Sequence, residues 1–152
     1  MRTPLRLPSK SSLQVSHDSQ SRRITARYLE KHPQVAWVSY LGLPSHESYA
    51  LAQKLIRPGT FGGVLSFGVK GDVKTASKTV DNLKLASQLA NVGDAKTLVI
   101  HPASTTHSQL TPEEQLDSGV TPDLIRVSVG IEDIRDIIAD FESALEITFK
   151  TE

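Results

Sequence analysis

The chain has 152 residues, 17 basic and 17 acidic side chains, and no cysteine. This length suits one domain with a hydrophobic core, and the balanced charge excludes the strong field that draws proteins to nucleic acid or anionic membranes. No apolar run approaches the ~20 residues of a membrane span, and the absence of cysteine excludes disulfides and thiolate catalysis. The absence of cysteine leaves the redox compartment undetermined. We expect a cytoplasmic protein that binds neither nucleic acid nor membrane.

The first 21 residues differ from the rest of the chain. They contain several basic and serine residues but no apolar stretch of the kind found in a secretory signal. Pro4 and Pro8 oppose the amphipathic helix of a transit peptide. The sequence therefore predicts a disordered segment over residues 1–21 and an ordered domain over residues 22–150.

Hydrophobic periodicity predicts alternating helices and strands within the ordered part. Helices are predicted over residues 22–31, 46–56 and 75–89, in a short segment that begins at Thr111, and in a final segment that begins near Glu132. Strands are predicted over residues 35–39, 62–69, 97–100 and 124–129. The pattern predicts an α/β two-layer sandwich in which a four-stranded sheet, mostly antiparallel or mixed, has helices on one face.

Capping residues support two of these helices. Thr111 offers a hydroxyl N-cap, Pro112 suits the first helical position, and Glu114 completes the pattern of a capping box. Glu132 and Asp133 are acidic residues suited to the positive end of the final helix.

Arg126 is the most informative polar residue, because it lies between Ile125 and Val127 in a predicted strand. Side chains alternate along a strand, so the guanidinium should point away from the face that buries its two neighbours. A buried or half-buried guanidinium needs an anionic partner. That partner is either an internal Asp or Glu or the carboxylate of a ligand, to which Asn91 and Thr106 could add neutral hydrogen bonds.

The other polar motifs carry weaker signals. His101 and His107 have no cysteine or close acidic set beside them, so no metal site is predicted, and His101 is expected to form structural hydrogen bonds. No nucleophile elbow surrounds Ser104, and no Lys-Ser/Thr pair follows the glycines at 59–63. The sequence therefore predicts neither a catalytic triad nor a phosphate-binding loop.

Several motifs in collinear order resemble the C-terminal domain of the Cys/Met-metabolism family of pyridoxal-phosphate enzymes. They are His32-Pro33, Leu43-Pro44-Ser45-His46, residues 61–67, Asn91-Val92-Gly93-Asp94, His101-Pro102-Ala103-Ser104-Thr105-Thr106-His107 and residues 119–132. The last two are the most specific. Lyases of the family more often have Ser-Leu-Gly in place of Asn91-Val92-Gly93, which favours the O-acetylhomoserine sulfhydrylase branch.

The resemblance implies a fold and a binding role. Residues 22–150 would form the small domain of a fold like that of aspartate aminotransferases (fold type I), with residues 1–21 outside the family region. Arg126 would bind the carboxylate of an amino-acid substrate such as O-acetyl-L-homoserine, helped by Asn91. The cofactor implied is pyridoxal phosphate, and the partner implied is a large N-terminal domain or a homo-oligomer.

The cofactor half of such a site has no counterpart in this sequence. The family's Schiff-base lysine lies in the large domain in a Ser-x-x-Lys context, and Ser77-Lys78-Thr79 resembles it only inside a predicted helix. No catalytic, cofactor-binding or metal-binding residue is therefore assigned. The chain would be the substrate-binding portion of a trans-sulfuration enzyme. Alternatively, it would be an inactive fragment or separately encoded domain that acts as a binding or interaction module, or a regulatory amino-acid-binding domain.

Overall fold

The computed structural model describes residues 10–91 and 94–150, which form five α-helices and one five-stranded sheet. The helices are α1 (Lys10–Lys31), α2 (Tyr49–Leu55), α3 (Val73–Asp81), α4 (Pro112–Asp117) and α5 (Ile134–Lys150). The strands are β1 (Val35–Ser39), β2 (Val64–Val69), β3 (Ser87–Gln88), β4 (Leu98–Ile100) and β5 (Leu124–Ser128), and a 3₁₀ turn spans Pro102–Ser104. No helix in the described ranges is long and apolar enough to cross a membrane.

The strands lie in the order β1-β2-β5-β4-β3. Every neighbouring pair is antiparallel except β3 and β4, which are parallel. The predicted mixed α/β sheet is therefore confirmed, with one strand more than expected. The additional strand, β3, is two residues long and lies within the region predicted as the helix over 75–89.

One face of the sheet packs against α1, α3 and α5. Leu65 and Phe67 of β2 and Ile125 and Val127 of β5 point to this face and are almost fully buried. The ring of Phe67 meets the ring of Phe141 from α5 edge-to-face, with centroids 5.9 Å apart. Burial of each such side chain contributes about 1.5–3 kcal/mol, so this helical layer holds the sheet in place.

The third helix is shorter than its apolar pattern predicts. It ends at Asp81, whereas apolar residues continue at helical spacing to Leu89. The carboxylate of Asp140 on α5 accepts hydrogen bonds from the backbone N–H groups of Lys84, Leu85 and Ala86, at 2.8–3.1 Å. These amides are satisfied by a distant residue instead of the helix, so the chain can turn into β3.

The first helix is longer than predicted, because it begins at Lys10 rather than at Arg22. Residues 10–21 of the segment expected to be disordered are therefore helical in the structure, and residues 1–9 lie outside the described residues. Arg22 itself is buried, and its guanidinium donates to the carbonyl oxygens of Gly62 and Val129, both at 3.2 Å. These contacts tie α1 to the segment before β2 and to the end of β5, which sequence periodicity cannot reveal.

The predicted capping box of α4 is present. The Thr111 hydroxyl accepts from the Glu114 backbone N–H, while the Glu114 carboxylate accepts from the Thr111 backbone N–H. At the start of α5, Asp133 accepts from the backbone and side chain of Arg135, which lowers the pKa of the Asp133 carboxyl to about 2. The Glu132 carboxylate accepts hydrogen bonds from Thr97.

Candidate functional site

Arg126 lies on the face of the sheet opposite the helices. The residues on either side of it, Ile125 and Val127, are fully buried, whereas Arg126 is exposed. It pairs across the sheet with Ser66 of β2 and Ile100 of β4. The expected alternation along β5 is thus present, and it places a guanidinium in the middle of the open sheet face.

Sequence analysis considered a buried or half-buried guanidinium at Arg126, but the structure shows a different environment. Its side chain is exposed, and it forms no hydrogen bond or ion pair with any residue in the ranges 10–91 and 94–150. Within the described part of the chain, Arg126 therefore forms no internal ion pair. Its donors face solvent and are available to an external anion.

A small recess beside Arg126 brings it together with Asn91. Its volume is about 10 Å³. We call it the Arg126 recess. It is lined by Leu89, Ala90, Asn91, Leu98, Ile100, Arg126 and Ser128. Two of the three residues predicted to bind a carboxylate therefore lie in one concave site, although 35 positions separate them in sequence.

The loop that carries Asn91 is fixed partly by Asp94. The Asp94 carboxylate accepts from the Lys96 backbone N–H at 3.0 Å and from the Asn91 amide at 3.4 Å. The Lys96 hydrogen bond, followed by that of Asn91, lowers the pKa of Asp94 below its ordinary value. The charged form of Asp94 thus helps to hold Asn91, which lines the recess.

A buried cluster then joins this loop to the end of β5. The Glu132 carboxylate accepts from both the backbone N–H and the hydroxyl of Thr97, at 2.7 and 2.9 Å. The Thr97 hydroxyl oxygen in turn accepts from the Gly130 backbone N–H at 3.0 Å. Residue 97 precedes β4 and residue 130 follows β5, so the cluster sets the spacing of the two strands that line the recess. Its members are far apart in sequence, which is why sequence analysis missed it.

Thr106, the third predicted carboxylate-binding residue, does not line the Arg126 recess. It lines a larger cavity of about 320 Å³ formed by α3, the loop after β3 and the 3₁₀ turn. Its hydroxyl is hydrogen-bonded to the Nδ1 atom of His107 at 2.8 Å. Leu89, Ala90 and Ile100 line both cavities.

His101 organises the loop that carries Thr106. The imidazole is almost fully buried, its Nε2 lies 2.8 Å from the Pro122 carbonyl oxygen, and its Nδ1 lies 2.8 Å from the Ser104 hydroxyl. A carbonyl can only accept, so Nε2 donates and, in the neutral imidazole, Nδ1 accepts from Ser104. His101 therefore forms structural hydrogen bonds, as the sequence predicts, and joins the loop to the start of β5.

Gln115 of α4 holds the other end of the same loop. Its side-chain amide donates to the carbonyl oxygens of Ala103 and His107, at 3.1 and 2.8 Å. Sequence analysis predicted the short helix that begins at Thr111 but did not single out Gln115. The contact depends on how α4 folds back over the loop, and no local signal in the sequence indicates it.

Trp37 and Asp123 form a side-chain pair beside Gly68 of β2. The indole Nε1 of Trp37 donates to the Asp123 carboxylate at 2.7 Å. This pair lies directly over Gly68, where an added Cβ would be 2.2 Å from the indole nitrogen and 2.1 Å from the carboxylate oxygen. Glycine at this position lets the indole and the carboxylate approach the sheet closely.

No metal site accompanies these groups. Within residues 10–91 and 94–150, no set of three or more His, Asp or Glu side chains is arranged to hold a metal ion. The site therefore contains the guanidinium of Arg126, which has no partner among the described residues, the amide of Asn91, and hydroxyl groups beside apolar side chains.

Comparison with known proteins agrees with the family that the motifs resemble. Residues 11–146 match the family model described as "Cys/Met metabolism PLP-dependent enzyme". The chain belongs to this family. The match begins inside the segment over residues 1–21 that the sequence predicts to lie outside the family.

Relatives in the family are long enzymes of sulfur amino-acid metabolism. Homocysteine synthase of Schizosaccharomyces pombe is 62% identical over 136 residues, which is 90% of this chain and 32% of the relative. O-acetyl-L-homoserine sulfhydrylase of Leptospira meyeri is 49% identical over 134 residues, or 88% of this chain and 30% of the relative. The chain thus spans about a third of the length of the curated relatives it matches.

A solved structure shares the fold. It is assigned as an O-acetylhomoserine (thiol)-lyase of Campylobacter jejuni, is 39% identical, and superimposes with a TM-score of 0.82 over 89% of this chain and 32% of its own. That structure contains N′-pyridoxyl-lysine-5′-monophosphate. The fold expected from the resemblance, a portion of a pyridoxal-phosphate enzyme, is therefore confirmed.

The two cavities of this chain do not fit a lysine-linked pyridoxal phosphate. Neither cavity is lined by a lysine among the described residues. A covalent link between the cofactor and this site would need an amine that these walls do not supply. Pyridoxal phosphate is the cofactor of the family, but the described residues that line these cavities include no lysine that could hold it.

Proposed function

We propose that this chain is the substrate-carboxylate-binding portion of an O-acetylhomoserine sulfhydrylase-like enzyme. The observation that carries the proposal is the exposed guanidinium of Arg126, which has no partner among the described residues and shares a recess with Asn91. The reaction proposed for the whole enzyme replaces the acetate of O-acetyl-L-homoserine by sulfide, in the cytoplasm.

The chemistry of the recess suits a carboxylate. A guanidinium presents parallel N–H groups in a fixed plane, which match the two oxygens of a carboxylate and form a bidentate, charge-assisted pair. Asn91, which also lines the recess, adds a neutral amide. Leu89, Leu98 and Ile100 line the same recess and offer apolar contact to the atoms next to the carboxylate.

We further propose that the isolated chain binds but does not catalyse. Its cavities offer no lysine within the described residues, so the electron-withdrawing cofactor would be held by a larger N-terminal region, as the length of the relatives suggests. Arg126 and Asn91 would hold the substrate by its carboxylate and so fix which end of the molecule faces that region. A binding or interaction module is the alternative function for the chain by itself.

A matched pair of ligands tests the proposal. The purified chain should bind O-acetyl-L-homoserine, and it should bind the methyl ester of the same compound about tenfold or more weakly, since the ester removes the anion that Arg126 pairs with. Isothermal titration calorimetry, supported by amide chemical-shift changes, measures both affinities. Equal affinities for the acid and the ester, or binding of neither, would overturn the carboxylate-binding function.

A further inference from the structure

The Arg126 recess contains a hydroxyl group that the function proposed above does not use. Ser128 lines the recess together with Arg126 and Asn91. It is half-buried and lies two positions after Arg126 on β5, and the residue between them, Val127, is fully buried on the helix-covered face. Because side chains alternate along a strand, Ser128 shares the open sheet face with Arg126.

The Ser128 hydroxyl is available to a ligand. It forms no hydrogen bond with any residue in the ranges 10–91 and 94–150. It is also the one hydroxyl among the described residues that line the recess, where the other side chains apart from Arg126 and Asn91 are hydrocarbon. The Asn91 amide already donates to the Asp94 carboxylate at 3.4 Å. Ser128 therefore adds a donor to the recess that no described residue uses.

Ser128 occupies the place that the sequence suggested for another hydroxyl. Sequence analysis named Thr106 as a residue that could add a neutral hydrogen bond beside Arg126. In the structure Thr106 lines a different cavity, and its hydroxyl is hydrogen-bonded to His107. The hydroxyl that lies in one recess with the guanidinium is that of Ser128.

The size of the recess limits what can contact both residues. Its volume of about 10 Å³ is close to the smallest that holds one water molecule. A single carboxylate oxygen takes up a similar space, so one oxygen of a ligand enters the recess and the rest of the ligand stays outside. A carboxylate oxygen has two lone pairs, so it can accept from the Arg126 guanidinium and from the Ser128 hydroxyl at once.

We propose that Ser128 is a substrate-binding residue whose hydroxyl donates to the carboxylate oxygen that Arg126 holds in the recess. The guanidinium supplies the charge. The hydroxyl fixes the position of that oxygen, and with it the rotation of the carboxylate about its bond to the α-carbon. This inference rests on the proposed carboxylate-binding function of Arg126, and it adds a second donor on the same strand.

Two substitutions of nearly equal shape test the hydroxyl. Ser128→Thr keeps the hydroxyl, Ser128→Val replaces it with a methyl group, and both side chains suit a strand. The purified valine variant should bind O-acetyl-L-homoserine about tenfold more weakly than the threonine variant, because it lacks a hydrogen bond to a charged group. Isothermal titration calorimetry measures both affinities. If the valine variant fails to fold, Ser128→Ala is compared with the unmodified chain instead. Equal affinities in either comparison would overturn the role of Ser128.

Ser66 provides a matched control on the same sheet face. It lies directly opposite Arg126 on β2, is half-buried, and its hydroxyl has no partner in the described part of the chain. It does not line the recess. Ser66→Thr and Ser66→Val should therefore bind O-acetyl-L-homoserine equally well. A tenfold difference at Ser66 as well would mean that any hydroxyl on this face affects binding, which contradicts a specific contact from Ser128.

The same pair of variants in an Arg126→Ala background separates this inference from the proposed function. There the difference between threonine and valine at position 128 should fall to within about threefold, because the two residues act on one oxygen and their effects are coupled. A difference that stays tenfold would contradict the shared oxygen. If Arg126→Ala weakens binding but the two Ser128 variants bind alike, Ser128 has no such role and the carboxylate site stands. If Arg126→Ala leaves the affinity unchanged, or the unmodified chain binds nothing, both proposals are wrong.

Discussion

Replacement of Arg126 by alanine is expected to lower the affinity of the chain for O-acetyl-L-homoserine by about 10- to 100-fold. The estimate corresponds to the roughly 1.5–3 kcal/mol that a hydrogen bond to a charged group contributes. Arg126 is exposed and has no partner among the described residues, so its removal should leave the fold intact. The loss should therefore appear in binding measured by calorimetry, with an unchanged thermal midpoint of unfolding.

Two further variants make this result specific. Arg126→Lys retains the charge but lacks the planar fork of donors, so its affinity should lie between those of the unmodified chain and the alanine variant. Arg57→Ala removes an exposed arginine that lines neither cavity, and it should bind as the unmodified chain does. Unchanged affinity in Arg126→Ala would refute a carboxylate-binding role for this residue.

Replacement of Gly130 by alanine should destabilise the protein by about 3 kcal/mol, a large part of the stability of a typical domain. A Cβ at this buried position would lie 2.4 Å from the Ala95 carbonyl oxygen, from the Lys96 carbonyl carbon and from the Glu132 carboxylate. Two of these atoms are backbone and cannot rotate away. Displacing Glu132 would also leave the Thr97 donors without their acceptor. Equilibrium unfolding in urea measures the loss.

Gly59 provides a matched control for this effect. It has a positive φ of 82°, and nothing lies within 4 Å of a Cβ built on it. Gly59→Ala should therefore cost only about 1 kcal/mol, from the left-handed backbone conformation alone. If Gly130→Ala is no more destabilising than Gly59→Ala, the cluster of Thr97, Gly130 and Glu132 does not have the tight packing described here.

Local patterns predicted much of the fold. The bounds of β1 agree with the prediction, and the capping box at Thr111 is present because it depends on residues three positions apart. The position of Arg126 on the open face also followed from alternation along β5. In each case the determining contacts lie within one element, where sequence spacing translates directly into direction in space.

Contacts between distant residues account for what the sequence did not predict. The early end of α3 depends on Asp140, and the buried position of Arg22 depends on the carbonyl groups of Gly62 and Val129. At the site, spacing could not distinguish Asn91, which shares the recess with Arg126, from Thr106, which lines the neighbouring cavity. These outcomes depend on the tertiary packing of loops, which apolar periodicity does not encode.

A crystal structure of the chain soaked with O-acetyl-L-homoserine tests the central claim most directly. We predict that both carboxylate oxygens of the ligand lie at about 2.7–2.9 Å from guanidinium nitrogens of Arg126, the distance typical of charge-assisted hydrogen bonds. The Asn91 side chain should lie at the same end of the ligand. A ligand bound with its carboxylate away from Arg126, or bound elsewhere on the protein, would contradict the account.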